Sequence, residues 1–168
     1  MERYDIAIIG TGPGGVSAAI TARVRGKELI LFGSRRLSEK VEKAHSILNY
    51  PGLPNVSGAE LARAYRTQLD GLGIPITEKQ VTAVYAMGDY FAIQTPDDMV
   101  ESSTVILAAG VVAARPLPGE NEFLGRGVSY CATCDAHFYR GKTVAVLGYS
   151  EQSCREADFL AETCEKVL

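Results

Sequence analysis

The sequence lacks a long run of apolar residues and a long run of charges of one sign. The first apolar run, in "MERYDIAIIG", stops at a glycine and is too short for a signal peptide core or a membrane span, so we expect a cytoplasmic protein. The net charge of −3 comes from 17 basic and 20 acidic residues in mixed order, which supports neither a nucleic-acid partner nor an acidic tail. A composition of 46% hydrophobic and 22% charged residues fits one ordinary domain, or one domain plus part of another.

Cysteine and histidine are scarce, with four and two residues, and their spacing limits the metal sites that the chain can form. Cys131 and Cys134 make a C-x-x-C pair followed by Asp135, not by the histidine that a c-type haem attachment site requires. No second close cysteine pair completes a tetrahedral zinc site or an iron-sulfur site. We therefore predict a redox dithiol and no metal, with zinc at the pair plus His137 as an alternative.

The dithiol segment also suggests roles for its flanking residues. If the segment begins a helix, Cys131 lies near the positive end of the helix dipole, which lowers a thiol pKa. Asp135, beside the second cysteine, can pass a proton during the redox step. The alternative interpretation of Asp135 is a helix cap.

A nucleotide-binding motif stands at the start of the chain. "YDIAIIG" predicts a buried parallel strand, and "TGPGGVSAAITARVRG" predicts a helix that closes at Gly26. Between them, Gly10, Gly12 and Gly15 form G-x-G-x-x-G. The first glycine allows the tight turn, the second lets the backbone approach a pyrophosphate, and the third lets helix and strand pack closely. A glycine-rich turn without a ligand is the alternative.

The second predicted strand, "KELILFG", ends at Gly33, where a dinucleotide-binding fold usually carries a carboxylate for the ribose hydroxyls. Glycine cannot accept these hydrogen bonds, so the ribose would be held by backbone or by Ser34. The two arginines that follow either contact the adenosine or remain solvated. "AELARAYRTQLDGLG" then predicts an amphipathic helix with Ser57 near its N-cap.

The middle of the chain changes its pattern. Alternating apolar residues broken by "MGD" and "TPDD" predict an antiparallel meander of three short strands, after which "TVILAAG" predicts a separate, buried parallel strand. The Pro- and Gly-rich "VVAARPLPGENEFLGRG" has linker composition. We expect a first domain at residues 1–115 and a second at 116–168.

The second domain begins another strand and helix, "GKTVAVLG" and "SEQSCREADFLAETCEKV", with Cys154 and Cys164 expected as inert core residues on the helix. One strand and one helix cannot bury both faces of a parallel sheet, so we expect this domain to be incomplete. The predicted fold class is α/β: a Rossmann-like, doubly wound domain with an antiparallel meander, followed by the start of a truncated nucleotide-binding-like domain.

Five segments, in order, resemble the low-molecular-weight thioredoxin reductase family: "DIAIIGTGPGGVSAA", "LNYPG", "VILAAG", "PGE" and "GRGVSYCATCDAHFYRGKTVAVLG". The resemblance implies an FAD domain, a smaller inserted domain with the redox disulfide, and a homodimer. It implies that Cys134 faces the flavin and Cys131 attacks the thioredoxin disulfide. The flavin would be held by Gly10, Gly12, Pro13, Gly14, Gly15, Gly33, Ser34, Asn49, the Val81 backbone and Gly110. Ala109 stands where the family usually has threonine.

The second nucleotide turn departs from the pattern of NADPH-dependent members, which have G-x-G-x-x-A. Here the turn reads GYSEQS from Gly148, and only the first glycine remains. Tyr149 and Ser150 place Cβ atoms where the backbone should meet a pyrophosphate, and Glu151 adds a negative charge there. The chain in this respect resembles the ferredoxin-dependent flavin thioredoxin reductases, so we expect reduced ferredoxin as donor. The alternatives are NADPH as donor with an atypical turn, or a non-enzymatic flavin-binding fragment.

Overall fold

The structure is a computed structural model that describes residues 3–110 and 116–168. The described chain forms two compact units: residues 3–44 with 57–110, and residues 45–56 with 116–168. The loop that contains Asn49 therefore belongs to the second unit. The predicted domain boundary at 115/116 stays a prediction, because residues 111–115 lie outside the described part of the chain.

The first unit is built on a six-stranded sheet. Its strands are β1 (Tyr4–Ile9), β2 (Leu29–Phe32), β3 (Ile76–Thr77), β4 (Ala83–Ala86), β5 (Phe91–Gln94) and β6 (Met99–Leu107). They lie in the order β3-β2-β1-β6-β5-β4. The pairs among β3, β2, β1 and β6 are parallel, whereas β6–β5 and β5–β4 are antiparallel. The predicted Rossmann-like α/β sheet with an antiparallel meander is confirmed.

One detail of the sheet was predicted wrongly, because the last meander strand and the returning parallel strand are a single strand, β6. Ser102 marks the change: it pairs with Phe91 of β5 and with Tyr4 of β1. Its side chain is fully buried, and its hydroxyl lies 2.8 Å from the carbonyl oxygen of Thr104 and 3.3 Å from that of Tyr4. The buried hydroxyl thus finds its hydrogen-bond partners inside the sheet. The strand can therefore continue through Ser102 without a turn.

Three helices accompany this sheet: α1 (Pro13–Val24), α2 (Glu39–Glu42) and α3 (Gly58–Gly71). Helix α1 lies against β1, β2 and α3, and it buries small residues such as Ala19 that allow a close approach. Helix α3 buries Leu61, Tyr65 and Leu69, which recur at a spacing of four residues along one face. On β1, Ala7 belongs to a buried apolar cluster, and the next residue, Ile8, is also buried. Since successive strand residues point to opposite faces, the sheet is apolar on both sides.

The start of α3 follows from its sequence. Ser57 is the N-cap, and its hydroxyl accepts the N–H of Glu60 at 3.3 Å. The Glu60 carboxylate in turn accepts the N–H of Ser57 at 3.0 Å. The two residues form a capping box, which satisfies amide groups that the first turn leaves unpaired. The predicted N-cap is confirmed.

The second unit contains short elements: α4 (Glu120–Phe123), α5 (Ala132–Asp135), a 3₁₀ turn (Ala136–Tyr139), β7 (Thr143–Val144), α6 (Glu151–Ala161) and β8 (Lys166–Val167). Strands β7 and β8 pair in parallel. The predicted long helix therefore ends early, because the chain must leave it to reach β8. The expected place of Cys164 on the helix is wrong for this reason, since Cys164 follows α6. The expectation that Cys154 is a core residue is also wrong, because Cys154 lies on the exposed side of α6. Within the described ranges, no helix has both the length and the apolar character needed to span a bilayer.

Candidate functional site

The three motif glycines occupy three different environments. Gly10 has φ +117°, and a Cβ there would lie 2.1 Å from the carbonyl oxygen of Ala108. A Cβ at Gly15 would lie 1.8 Å from the carbonyl oxygen of Gly10. In contrast, a Cβ at Gly12 would meet no atom within 4 Å. The outer two glycines are thus required by the fold, and the middle one borders open space, as the dinucleotide motif predicts.

The first turn of α1 lies open at this space. Gly12 is the N-cap and Pro13 is the first helical residue, and no side chain caps the turn. No acidic residue stands in the first turn, and Gly14 also borders open space. A helix N-terminus carries unpaired N–H groups and a positive partial charge, so this turn can hold a phosphate group.

Thr11, which the sequence motif leaves unspecified, connects this turn to the loop after β2. Its side chain is 3% exposed, and its hydroxyl accepts the N–H of Ser34 at 3.1 Å. The same oxygen lies 3.1 Å from the carbonyl oxygen of Ser34 and 3.0 Å from that of Leu37. A Cβ at Gly33 would lie 2.6 Å from the Thr11 side chain. Gly33 is therefore present because Thr11 lies against it.

The two arginines after Ser34 differ in their contacts. Arg35 forms an ion pair with Glu78, with Nε 3.3 Å from Oε2, and its backbone N–H also donates to Glu78 at 3.0 Å. Arg36 is exposed, and its backbone N–H donates to the hydroxyl of Ser34 at 3.0 Å. The loop after β2 is thus held by the Glu78 carboxylate, which follows β3, and by the Ser34 hydroxyl, with the Arg36 side chain at the surface.

The other predicted cofactor residues, Asn49, Val81 and Gly110, are far apart in sequence and have different local environments. Asn49 is exposed in a loop of the second unit. The Val81 side chain packs on the apolar cluster that contains Phe32. Gly110 has φ +71° and a Cβ there would meet nothing within 4 Å. Of the predicted set, the structure brings together the glycines of the first turn with Gly33 and Ser34.

The C-x-x-C pair forms a disulfide at the start of α5. Cys131 and Cys134 have Cα atoms 5.3 Å apart, and both are half-buried. Cys131 is the N-cap of α5, and its Sγ accepts the N–H of Cys134 at 3.2 Å. The predicted helix start is confirmed, and the backbone amide beside Sγ is of the kind that stabilises negative charge on a sulfur.

Asp135 does not cap a helix through its side chain. Its carboxylate accepts the hydroxyl of Ser129 at 2.6 Å, a contact that sequence reasoning missed because nothing in the motif marks Ser129. Tyr139 lies within reach of this carboxylate: burial raises the pKa of Tyr139, and the charge of Asp135 raises it further. The Asp135 carboxyl group, next to Cys134 in sequence, therefore has Ser129 and Tyr139 as neighbours.

Tyr130, directly before Cys131, is bound to the preceding loop. Its hydroxyl donates to Glu120, whose second oxygen accepts the N–H of Leu117. These bonds lower the pKa of Glu120, the Tyr130 contact most strongly, and the same contact raises the pKa of Tyr130. The segment before the disulfide is thereby tied to α4.

The second nucleotide turn is closed by its own side chains. Ser150 is the N-cap of α6, and its hydroxyl accepts the N–H of Ser153 at 3.4 Å. A Cβ at Gly148 would lie 1.9 Å from Oγ of Ser153, so this side chain fills the space over the glycine. Glu151 stands in the first turn and pairs with Arg155 at 2.6 Å. The contrast with the uncapped first turn of α1 is direct.

No group of three or more His, Cys, Asp or Glu side chains is arranged to hold a metal ion in residues 3–110 and 116–168. The two sulfurs that a zinc site would use are bonded to each other.

A profile of the pyridine nucleotide-disulphide oxidoreductase family matches residues 4–168. The chain belongs to this family. Within the family, it is 39% identical to the thioredoxin reductase of Aquifex aeolicus over 98% of its own length. A ferredoxin-flavin thioredoxin reductase structure from Clostridium acetobutylicum is 50% identical over 99% of the chain, with a TM-score of 0.66. A thioredoxin reductase structure from Streptococcus pyogenes is 33% identical over 98% of the chain, with a TM-score of 0.81.

The resemblance to thioredoxin reductases is thus confirmed. The chain spans about half the length of these relatives: 52% of the Aquifex protein, 58% of the Clostridium chain and 54% of the Streptococcus chain. The thioredoxin reductases of this pyridine nucleotide-disulphide oxidoreductase family bind FAD, which confirms the cofactor expected from the sequence. The open, uncapped turn at Gly12 fits the pyrophosphate of such a cofactor.

Proposed function

We propose that the chain is the flavin- and disulfide-bearing part of a thioredoxin reductase that receives its electrons from reduced ferredoxin. The observation that carries the proposal is the difference between the two nucleotide turns. The first helix, α1, begins at an open and uncapped turn. The helix of the second motif, α6, begins at a turn where Ser150 accepts the N–H of Ser153 and the Ser153 side chain fills the space over Gly148.

The first turn supports FAD binding. FAD supplies the two-electron redox chemistry when bound, and the protein supplies its position. The amides of the first turn of α1 would hold the pyrophosphate, which would lie against the backbone of Gly12, Pro13, Gly14 and Gly15. The loop at Gly33 and Ser34 would take the ribose through carbonyl oxygens or the Ser34 hydroxyl, because the position after β2 carries no carboxylate and the N–H groups of both residues already donate to Thr77 and Thr11. Asn49, the Val81 backbone and Gly110 are proposed to complete the site.

The second turn argues against NADPH as donor. A pyrophosphate bound there would need the N–H that Ser150 now accepts and the space that the Ser153 side chain occupies. It would also approach Glu151, whose charge repels an anion although Arg155 offsets part of it. The 50% identity to a protein described as a ferredoxin-flavin thioredoxin reductase supports the same conclusion. The TM-scores do not bear on the donor.

The disulfide would transfer electrons to thioredoxin. In the proposed order, Cys134 receives electrons from the flavin side and Cys131, at the start of α5, attacks the thioredoxin disulfide. The amide of Cys134 next to Sγ of Cys131 stabilises the attacking thiolate. Asp135 would give or take the proton of the dithiol. A homodimer in the cytoplasm, with ferredoxin and thioredoxin as partners, is part of this proposal.

The test is anaerobic mixing of the flavin-loaded enzyme with each donor, followed by the loss of the yellow flavin colour. We expect reduced ferredoxin to bleach the flavin and NADPH to leave it oxidised. Rapid and complete bleaching by NADPH would favour the alternative, an NADPH-dependent thioredoxin reductase with an atypical turn. Cys131→Ser should keep the flavin and lose thioredoxin reduction. A parent protein that binds flavin but reduces thioredoxin with neither donor would favour the non-enzymatic flavin-binding alternative.

A further inference from the structure

Ser129 contacts both ends of the dithiol segment. Its Oγ accepts the backbone N–H of Cys131 at 3.0 Å and lies 2.6 Å from Oδ2 of Asp135. The carbonyl oxygen of Cys131 is also near, at 3.3 Å. A hydroxyl has one proton to donate, and the shorter contact to a charged acceptor takes it. The hydroxyl therefore receives a bond from Cys131 and gives one to Asp135.

The single turn of α5 brings these groups to one place. The N–H of Asp135 donates to the carbonyl oxygen of Cys131 at 3.2 Å, which folds the chain back after one turn. Ser129, Cys131 and Asp135 are all half-buried. A hydrogen bond between half-buried groups, one of them charged, restricts the carboxylate more than a surface contact would.

We propose that Ser129 is a positioning residue, which holds the Asp135 carboxyl group at the disulfide so that it can exchange a proton with Cys134. The proposal rests on the proposed redox function of Cys131 and Cys134. Nothing in the C-x-x-C motif assigns a role to Ser129, and its role comes only from the contacts that the fold creates. Ser129 itself exchanges no proton with the sulfurs.

The step in which Asp135 acts is thiol–disulfide exchange. The thiolate of a reductant bonds to Sγ of Cys131, the S–S bond breaks, and its electron pair goes to Sγ of Cys134. The Asp135 carboxylate takes a proton from a buffer acid in solution and passes it to that sulfur, so that Asp135 ends the step as the carboxylate to which Ser129 donates. In reverse, the Asp135 carboxylate takes the proton of the Cys134 thiol, and this sulfur re-forms the disulfide while the reductant leaves as a thiolate.

The test is a double-mutant cycle on the flavin-loaded enzyme, with dithiothreitol as the reductant. Opening of the disulfide is timed by quenching with iodoacetamide and counting alkylated thiols by mass spectrometry. We expect Asp135→Asn to slow opening by roughly tenfold or more, as removal of a general acid does. Ser129→Ala should slow it several-fold, and Ser129→Thr, which keeps the hydroxyl, should restore most of the rate.

The decisive measurement is Ser129→Ala in the Asp135→Asn background. If Ser129 acts through Asp135, the double variant is no slower than Asp135→Asn alone. An equal slowing in both backgrounds would show that Ser129 only supports the fold, and would overturn the proposal. So would an unchanged rate in either single variant.

Two controls keep the outcome clear. Ser103→Ala, at an exposed serine of the first unit, should open its disulfide at the parental rate. If Ser129→Ala does not fold, Ser129→Gly removes the same hydroxyl and takes its place. Because the cycle uses neither thioredoxin nor ferredoxin, a failed thioredoxin assay with a normal cycle would refute the proposed function and leave the role of Ser129 intact.

Discussion

The hydroxyl of Thr11 holds the main chain of Ser34, accepting its N–H at 3.1 Å and lying 3.1 Å from its carbonyl oxygen. The two residues are 23 positions apart, and Thr11 is almost fully buried. Hydrogen bonds therefore link the turn after β1 to the loop after β2. In the proposed function, the linked turn and loop shape both the pyrophosphate and the ribose parts of the cofactor site.

Replacement of Thr11 by valine should destabilise the first unit. Valine keeps the shape of threonine but leaves the part-buried N–H of Ser34 without its acceptor and the carbonyl oxygen of Leu37 without its donor, at a cost of about 1–3 kcal/mol. The measurement is the free energy of unfolding in urea. Thr21→Val is the matched control, because Thr21 is exposed on α1 and should change stability by less than about 0.5 kcal/mol. Equal losses at both positions would contradict the role of Thr11.

Replacement of Gly15 by alanine should mainly reduce stability, whereas replacement of Gly12 by alanine should mainly weaken FAD binding. At Gly15 the new Cβ would meet a backbone carbonyl at 1.8 Å, so we expect a loss of stability of roughly 1–3 kcal/mol or more. At Gly12, where φ is −74° and no atom lies within 4 Å, alanine should reduce stability much less, as a poorer N-cap only, and weaken FAD binding by roughly tenfold or more.

These two effects are separated by measuring urea unfolding of the flavin-free protein and FAD affinity by flavin fluorescence. A Gly12→Ala protein that binds FAD like the parent would place the pyrophosphate elsewhere. A Gly15→Ala protein of parental stability would show that α1 can move away from β1.

The local elements were predictable because their causes lie within a few residues. The glycine turn and the Ser57 cap follow from spacing and capping chemistry alone. The continuous β6 was not predictable in this way, since its second half pairs with β1, nearly a hundred residues earlier in the chain. The early end of α6 likewise depends on the pairing of β8 with β7.

The candidate site shows the same division. The residues that form the open turn and the disulfide stand in recognisable motifs. Thr11 and Ser129 lie in or beside these motifs at positions that the motifs leave unspecified. Each acquires its role from a partner that only the folded chain brings near: Ser34 for one and Asp135 for the other. Hydroxyl side chains of this kind carry no sequence signal beyond their ability to donate one hydrogen bond and accept up to two.

The capping box of α3 should make stability depend on acid pH. The hydroxyl of Ser57, and then its N–H, lower the pKa of Glu60 in the folded protein. A pKa lowered on folding contributes stability that is present above the pKa of the unfolded state and is lost as the pH falls through the folded pKa. The stability difference between the parent and Glu60→Gln should therefore shrink as the pH is lowered below the ordinary carboxyl range.

This dependence is measured as the difference in urea midpoint between the two proteins from neutral to strongly acid pH. Ser57→Ala, which removes the cap, should cost about 1 kcal/mol at neutral pH. A midpoint difference that stays constant down to strongly acid pH would show that the ionised Glu60 does not stabilise the helix.

Opening of the second nucleotide turn should raise the affinity for NADPH. Ser150→Gly removes the side chain that accepts the N–H of Ser153, and Ser153→Ala removes the oxygen that lies over Gly148. Together they restore G-x-G-x-x-A at the start of α6, and glycine costs only a few tenths of a kcal/mol as an N-cap. We expect the double variant to bind NADPH roughly tenfold more tightly than the parent by titration calorimetry.

The matched control for this gain is Ser103→Ala, which should leave NADPH affinity at the parental level. Adding Glu151→Gln to the double variant should increase the affinity further, since it removes the negative charge at the helix N-terminus. The gain should weaken as salt is added, because part of it is electrostatic and exposed charges are screened. If the double variant binds NADPH no better than the parent, the serines are not what closes this turn, and the preference for a ferredoxin donor loses its structural basis.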